Sequence, residues 1–258
     1  MTNSVTIVTA FFDINRATNG DGRTIDMYLK WIKETLKLNC YLYIVTEPKF
    51  KNFFIENRAN NYFLKIIDFK ESYYYKYYDR IKTIINSEEY KKRVERPDRV
   101  ECKLPEYNII QYSKFHYLEM AINQNPFNSK YFFWLDAGSS RFFYDMNISN
   151  LFPSNISLLD EYNNKLIVQQ RHDLMKFNID DNFIWKADNL IYGGMFGGSI
   201  DMIQKISKLI ENVFVEIMLA NNNANNEQLA LAIVWKNNPE LFKTFSDMTR
   251  EIYLFKIL

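Results

Sequence analysis

The segment Tyr131-Phe132-Phe133-Trp134-Leu135-Asp136-Ala137-Gly138 decides the fold class of this chain. Its first five residues are apolar or aromatic, a composition typical of a strand that is buried on both faces of a sheet. The apolar run ends abruptly at Asp136, which places one carboxylate at the carboxyl end of the strand. Ligands of open α/β sheets bind at that edge. The segment therefore predicts an α/β domain with a site beside Asp136.

The amino-terminal part of the chain alternates strand patterns with helix patterns. The predicted strands are Val5 to Phe12, Tyr41 to Thr46 and Tyr62 to Ile67. Helical spacing of apolar residues covers Thr24 to Leu38, and a short helix is expected at Phe50 to Arg58. The β-α-β-α-β order predicts a mostly parallel central sheet flanked by helices.

The remaining predicted elements follow a less regular part of the chain. We expect Lys91 to Lys103, which is charged and contains Pro97, to be an exposed excursion. The predicted elements after it are a helix at Ser113 to Asn123, a short strand at Leu166 to Gln169, a glycine-rich turn at Tyr192 to Gly198, and helices at Ile200 to Leu219 and Glu227 to Trp235.

Length and charge limit the possible functions. A chain of 258 residues suits one domain, residues 1–258. The formal net charge of +1 gives no global field that would favour DNA, RNA or an anionic membrane. Cys40 and Cys102 make neither a disulfide framework nor a zinc pattern, so a reduced, cytoplasmic setting is expected. No stretch reaches the roughly 20 apolar residues of a membrane span. Peripheral membrane association stays open.

Asp136 has two interpretations. A nucleotide diphosphate is negatively charged, so a carboxylate can approach it only through a bridging Mg²⁺ or Mn²⁺, hard cations that prefer oxygen ligands. Asp also commonly caps a turn, and the sequence alone leaves both possibilities open. The basic residues that could hold phosphates are Arg16, Arg23, Lys114 and Arg141.

Two further features are candidates for a site. Four of the seven glycines lie in Tyr192-Gly193-Gly194-Met195-Phe196-Gly197-Gly198, either as a tight turn or as a floor where a sugar comes close to the backbone. Glu227 opens the last predicted helix, where the helix dipole favours an acid. A carboxylate facing a cleft at this edge could equally act as a general base.

Several stretches resemble the HtrL/YibB family of bacterial and viral proteins, which is similar to glycosyltransferases of the GT-A fold. They occur in family order over nearly the full chain. These stretches are Thr6-Ile7-Val8-Thr9-Ala10-Phe11-Phe12-Asp13 with Arg16, Pro105-Glu106-Tyr107-Asn108, Ser113-Lys114, Asn125-Pro126-Phe127, Phe133-Trp134-Leu135-Asp136-Ala137-Gly138, the Gly193 to Gly198 loop, Asn226-Glu227-Gln228 and Pro239-Glu240-Leu241-Phe242.

The resemblance implies a GT-A-like nucleotide-binding domain that moves a sugar from a nucleotide diphosphate sugar, with a UDP-sugar expected, to a hydroxyl acceptor on a glycan or glycolipid. Synthesis of a surface polysaccharide or lipopolysaccharide is the expected setting. The alternatives are a catalytically silent carbohydrate- or nucleotide-binding protein on the same fold and, from a different enzyme class, a nucleotidyltransferase. The loop Phe11-Phe12-Asp13-Ile14-Asn15 lacks the Gly-rich, basic character of a nucleotidyltransferase.

In the resemblance Asp136 stands at the first Asp of the D-x-D motif, which holds Mn²⁺ or Mg²⁺ on the donor diphosphate. Gly138 replaces the second Asp. Asp136 is therefore the expected metal ligand, with His172, Asp173 and Asp145 as residues that could complete the set. Glu227 and Asp136 are the expected catalytic residues. The expected donor-binding residues are Thr9, Phe11, Arg16, Arg23, Lys114, Trp134, Ala137 and Gly138. The expected acceptor or sugar contacts are Gly193, Gly194, Phe196, Gly197, Gly198 and Gln228.

Overall fold

A computed structural model describes residues 4–143, 147–246 and 253–258. A seven-stranded sheet runs through the described chain, with the strands in the order β3-β2-β1-β4-β6-β5-β7. The strands are β1 (Val5–Phe11), β2 (Tyr41–Thr46), β3 (Tyr62–Ile66), β4 (Tyr131–Leu135), β5 (Leu166–Gln170), β6 (Ile191–Ser199) and β7 (Phe242–Ser246).

The sheet is mostly parallel. Strand β1 pairs in parallel with β2 and β4, β2 with β3, and β5 with β7. Strand β6 runs antiparallel to both of its neighbours, β4 and β5. The predicted mixed α/β class with a mostly parallel central sheet is confirmed.

Helices cover the sheet. The α-helices of the described ranges are α1 (Arg16–Asn19), α2 (Ile25–Thr35), α3 (Lys51–Asn57), α4 (Tyr78–Asn86), α5 (Glu88–Arg93), α6 (Pro105–Gln124), α7 (Ile156–Glu161), α8 (Ile200–Asn212), α9 (Glu227–Asn237) and α10 (Leu254–Ile257). Helix α8 continues through a π-helical segment at Val213–Met218 and a 3-10 turn at Leu219–Asn221. None of the helices in the described ranges has both the length and the apolar character to cross a bilayer.

The buried strands contribute side chains to two hydrophobic clusters, one on each face of the sheet. Val8 and Trp134 belong to the cluster that packs against α6, α8 and α9. Ile7 and Phe133 belong to the other cluster, which includes Ile32 of α2. This alternation follows from the two-residue period of a strand, and it explains why every position of β1 and β4 is buried.

The glycine-rich segment is not a turn, as the sequence predicted, but the buried antiparallel strand β6. A Cβ at Gly197 would lie 2.3 Å from the carbonyl oxygen of Phe132, and one at Gly198 would lie 2.8 Å from that of Lys165. Both distances are too short for a side chain. Gly197 and Gly198 are therefore required because neighbouring backbone comes close to β6, whereas Gly193 and Gly194 face the side chains of Glu227 and Tyr192. A strand with these four glycines has the same local composition as a turn.

Two other boundaries differ from the prediction. Helix α6 starts at Pro105, eight residues before Ser113, because proline suits the first turn of a helix. The segment expected to be an exposed excursion folds back into the protein after α5. Its residues Val100–Cys102 form a buried 3-10 turn, in which Glu101 is only 4% exposed.

Candidate functional site

Strand β4 delivers Asp136 to the carboxyl edge of the sheet, beside the end of β1. The backbone N–H of Asp136 donates to the carbonyl of Gly194 at 2.8 Å, which ties the residue to β6. Two adjoining cavities meet at this point, and Asp136 lines both. The residue at which the sequence places the site therefore lines two cavities.

The first cavity has a volume of about 220 Å³ and lies between the end of β1, α1, the start of α2 and the start of α6. Its wall is mainly aromatic and aliphatic. The aromatic lining residues are Phe11, Phe12, Tyr28, Tyr107 and Trp134. A space of this kind suits a planar ring, because ligand pockets are mostly apolar with a few polar groups that fix orientation.

The second cavity has a volume of about 410 Å³ and is more polar in its lining. It extends from Asp136 towards β6 and the start of α9. Gly193, Gly194 and Gln228 line it together with charged side chains. Arg16, Arg23 and Arg141 line both cavities, so three guanidinium groups surround their junction.

Lys114 of α6 is the buried centre of the site, with a side chain only 1% exposed. Its Nζ donates to Glu227 Oε1 at 2.6 Å and to the carbonyl of Gly193 at 3.0 Å, and it lies 3.0 Å from Asp136 Oδ1. Burial lowers the pKa of Lys114, but the nearby carboxylates of Asp136 and Glu227 outweigh burial, so the pKa is raised. The ammonium therefore stays charged.

Asp136 is held in one orientation by two donors. Its Oδ1 accepts from Trp134 Nε1 at 2.7 Å and faces Lys114 Nζ. The side chain is nevertheless 39% exposed, because it opens onto both cavities. Asp136 thus presents a fixed carboxylate at the junction.

Glu227 lies behind Lys114, and its side chain is only 1% exposed. It lines neither of the two cavities, in contrast to the expectation that it faces the cleft. Burial raises the pKa of Glu227 to about 7, although the ion pair with Lys114 opposes that shift. Its Oε2 is buried without a hydrogen-bond partner among the described residues. In this geometry Glu227 is suited to positioning Lys114.

The start of α9 is fixed by a buried polar network that the sequence reasoning missed. Asn226 caps the helix by accepting from the backbone N–H groups of Gln228 and Leu229. Its amide nitrogen donates to Glu101 Oε1 at 2.9 Å, and Glu101 also pairs with Arg99. The sequence signal for this network was the pair Arg99 and Glu101, an arginine and a carboxylate that shortly precede α6.

The arginines at the junction differ in their partners. Arg16 binds Asp21 through two hydrogen bonds, of 2.7 and 2.8 Å, and its guanidinium lies 4.6 Å from the ring centroid of Tyr107. Arg23 lies 3.3 Å from the same Asp21. Arg141 lies over Trp31 and Phe142, at 5.1 and 4.5 Å from the ring centroids.

The described residues do not supply a set of ligands for a divalent cation here. They contain no group of three His, Cys, Asp or Glu side chains that could hold a metal ion. His172 and Asp173 line neither cavity, and Asp145 lies outside the described residues. The ammonium of Lys114 already occupies the space between the carboxylates of Asp136 and Glu227. The requirement for Mn²⁺ or Mg²⁺ stays a prediction that this donor set does not support.

The other predicted site residues divide into two groups. Phe11, Trp134, Ala137 and Gly138 line the first cavity. Thr9 is buried in β1 and lines neither cavity. Phe196, Gly197 and Gly198 also line neither, because they lie within β6 on the side away from Asp136, where they pair with Trp134, Phe133 and Phe132. The structure does not bring these last three residues to the site.

Sequence and structure comparisons place the chain among known proteins. Protein HtrL of Escherichia coli (strain K12) is 26% identical over 262 residues, which cover 94% of this chain and 87% of that protein. A solved structure described as a glycosyltransferase involved in the glycosylation of the major capsid of PBCV-1 matches 94% of this chain and 80% of its own, at 12% identity and a TM-score of 0.41. The family model HtrL_YibB, described as bacterial protein of unknown function, matches residues 3–255, so the chain belongs to that family.

Proposed function

We propose that this protein transfers a sugar from a nucleotide diphosphate sugar to a hydroxyl group of a glycan or glycolipid acceptor. The observation that carries the proposal is the junction of the two cavities at Asp136. One cavity is mainly aromatic and the other is polar, and three arginines surround the place where they meet. A nucleotide sugar has the same sequence of parts, because its planar base and its sugar are joined through a diphosphate.

The first cavity accommodates the base and the second accommodates the sugar and the acceptor. Tyr28, Tyr107 and Trp134 supply aromatic lining in the first cavity. Gly193 and Gly194 line the second together with Tyr192 and Gln228. The diphosphate then lies at the junction, where guanidinium groups suit phosphate oxygens because they donate in a planar fork.

The transfer breaks one bond and forms one. The bond from the anomeric carbon to the diphosphate oxygen breaks, and its electron pair leaves with the nucleoside diphosphate. The acceptor oxygen forms the new bond to the anomeric carbon, and its proton passes to a base. Asp136 is the carboxylate that both cavities share, and its orientation is set by Trp134 and Lys114. Positive groups at the junction offset the charge that develops on the leaving diphosphate.

Glu227 acts as a positioning residue in this proposal. Its carboxylate contacts Lys114, and Lys114 in turn contacts Asp136. Gly193 makes this contact sterically possible, because a Cβ there would lie 2.2 Å from Glu227 Oε1. Glu227 therefore orients the reacting carboxylate through one intermediate side chain.

A matched pair of variants tests the proposal by ligand-induced thermal shift. Ala17 is exposed on α1 and lines the first cavity, whereas Ala220 is exposed on a turn outside both cavities. A panel of UDP, GDP, ADP, CDP and dTDP and their sugar derivatives is added to the native protein and to Ala17→Trp and Ala220→Trp. We expect at least one nucleotide to raise the Tm of the native protein and of Ala220→Trp but not of Ala17→Trp, because a ligand that binds only the folded state stabilises it.

Release of nucleoside diphosphate from the stabilising donor then separates an enzyme from a silent binding protein. A thermal shift without any release, with or without glycan acceptors, would favour the silent binding protein. The absence of any shift across the panel would contradict the donor site itself.

A further inference from the structure

We infer that Arg141, together with Arg16 and Arg23, holds the diphosphate of the donor, and that donor binding does not require a divalent cation. This inference rests on the proposed function. It concerns which groups supply the positive charge that binds the diphosphate. The shape of the two cavities does not determine this.

The position of Gly138 carries the first step. A Cβ built on Gly138 would lie 2.7 Å from Nη1 of Arg141 and 3.3 Å from ring atoms of Trp31 and Tyr28. The guanidinium of Arg141 therefore fills the space that a side chain at position 138 would enter. Where a D-x-D motif would put its second carboxylate, this protein has a permanent cation.

The surroundings of Arg141 leave its charge available. Its guanidinium lies over the rings of Trp31 and Phe142, so packing against these rings holds it in place. No carboxylate of the described residues forms an ion pair with it, and it lines both cavities. Within the part of the chain that the structure describes, the N–H groups of Arg141 are therefore available to phosphate oxygens.

Arg16 and Arg23 add to this charge because they share a single acid. Asp21 lies 2.7 Å from Arg16 Nε and 3.3 Å from Arg23 Nε. One carboxylate thus offsets only one of the two guanidinium groups. With Arg141 included, the cluster keeps an excess of positive charge that is opposite in sign to a diphosphate.

Lys114 does not add to this excess. All three of its ammonium contacts go to the protein, namely to Asp136, to Glu227 and to the carbonyl of Gly193. The contacts of Lys114 and Trp134 both fall on Asp136 Oδ1. Lys114 offsets one of these two carboxylates, and the three arginines with Asp21 carry two positive charges in excess, so the cluster as a whole keeps a net positive charge for the phosphates.

Isothermal calorimetry with the nucleoside diphosphate that stabilises the native protein tests the inference. Titrations are made in excess EDTA and in Mn²⁺, with the native protein, Arg141→Gln and Arg141→Lys. Arg93→Gln is the matched control, because Arg93 also lies over an aromatic ring, 3.8 Å from the centroid of Trp185, but lines neither cavity.

We expect the native Kd in EDTA to agree with that in Mn²⁺ within about threefold, which is under 1 kcal/mol. Arg141→Gln should weaken Kd by about tenfold or more, since it removes a charge-assisted phosphate contact. The Kd of Arg141→Lys should lie between those of the native protein and Arg141→Gln, because a lysine keeps the charge and loses the planar fork. Arg93→Gln should bind like the native protein.

Three results would overturn the inference. Binding that occurs only with Mn²⁺ would assign the diphosphate to a metal and leave the proposed function standing. A folded Arg141→Gln variant with native affinity would remove Arg141 from the phosphate site. No binding of any nucleoside diphosphate under either condition would overturn the proposed function as well. If Arg141→Gln does not fold, the comparison of EDTA with Mn²⁺ on the native protein still decides whether a cation is required, and Arg141→Lys tests the role of the arginine.

Discussion

Lys114 and Glu227 form a buried ion pair in which Nζ and Oε1 are 2.6 Å apart and each side chain is 1% exposed. The pair joins the middle of α6 to the first turn of α9, across 113 positions of sequence. Burial of two charges is costly unless each compensates the other. We therefore expect the charge of each residue to be stabilised mainly by its partner, because solvent does not reach either side chain.

Removal of only one residue of this pair should strongly destabilise the folded protein. We expect Lys114→Met to lower the free energy of unfolding by roughly 3–5 kcal/mol, because it leaves the carboxylate of Glu227 buried without its cation. The double variant Lys114→Met/Glu227→Leu should be more stable than Lys114→Met, because neither buried charge remains. Urea denaturation monitored by circular dichroism measures the native protein, Lys114→Met, Glu227→Leu and the double variant. A double variant that loses the sum of the two single losses would show that the two residues are not coupled.

The free energy of unfolding should change with pH because the side chain of Glu227 titrates. Its folded pKa is about 7, above the ordinary value of 4.5, so the folded state binds this proton more tightly than the unfolded state does. The resulting stabilisation is present below about pH 4.5 and is lost as the pH rises through about 7. A shift of this size corresponds to roughly 3 kcal/mol.

The measurement compares the native protein with Glu227→Gln, in which this proton cannot titrate. We expect the native protein to lose stability relative to Glu227→Gln between pH 5 and pH 8, in urea denaturation at constant ionic strength. The other carboxylates titrate in both proteins, so they largely cancel in the difference. A difference that is the same at both pH values would contradict a raised pKa at Glu227.

Asp136→Asn should lower the rate of sugar transfer while leaving the stability of the fold nearly unchanged. The Oδ1 of asparagine can still accept from Trp134 Nε1 and Lys114, so we expect the Tm to change little. Sugar transfer should fall by at least ~10²-fold, the low end for the loss of a general base. Asp201→Asn, at the exposed start of α8, is the control that should keep the native rate. Native turnover in folded Asp136→Asn would exclude Asp136 from the reaction.

Gly193→Ala should destabilise the site through Glu227. The added Cβ would lie 2.2 Å from Glu227 Oε1, so either the carboxylate or β6 must shift. We expect a loss of roughly 1–3 kcal/mol, the usual range for overpacking. Gly22→Ala is the control: nothing lies within 4 Å of its Cβ, and only its φ of +81° opposes the change, at a cost of roughly 1–2 kcal/mol. Melting curves in which Glu227→Ala does nothing to relieve Gly193→Ala would argue against this contact.

The strands of the parallel part could be predicted from local pattern because both of their faces are buried. The predicted bounds of β2 and β4 agree with the structure, and β1 ends one residue earlier than expected. The glycine-rich strand β6 could not be recognised in this way. Gly197 and Gly198 are required by neighbouring backbone and Gly193 by the side chain of Glu227, and these neighbours lie beside β6 only after distant segments have packed together.

The amino-acid sequence by itself determined that a carboxylate follows a buried strand, that arginines are available near the first strand, and that the chain has an α/β order. A strand end always lies at an edge of its sheet, so Asp136 needed no tertiary information to be chosen. Only the tertiary structure decided that Glu227 is buried behind Lys114 and that Arg141 fills the space beside Gly138. Glu227 meets Lys114 across 113 positions of sequence, and Arg141 is held beside Gly138 by the ring of Trp31 in α2. The charge and exposure of a side chain depend on such neighbours rather than on its own position in a pattern.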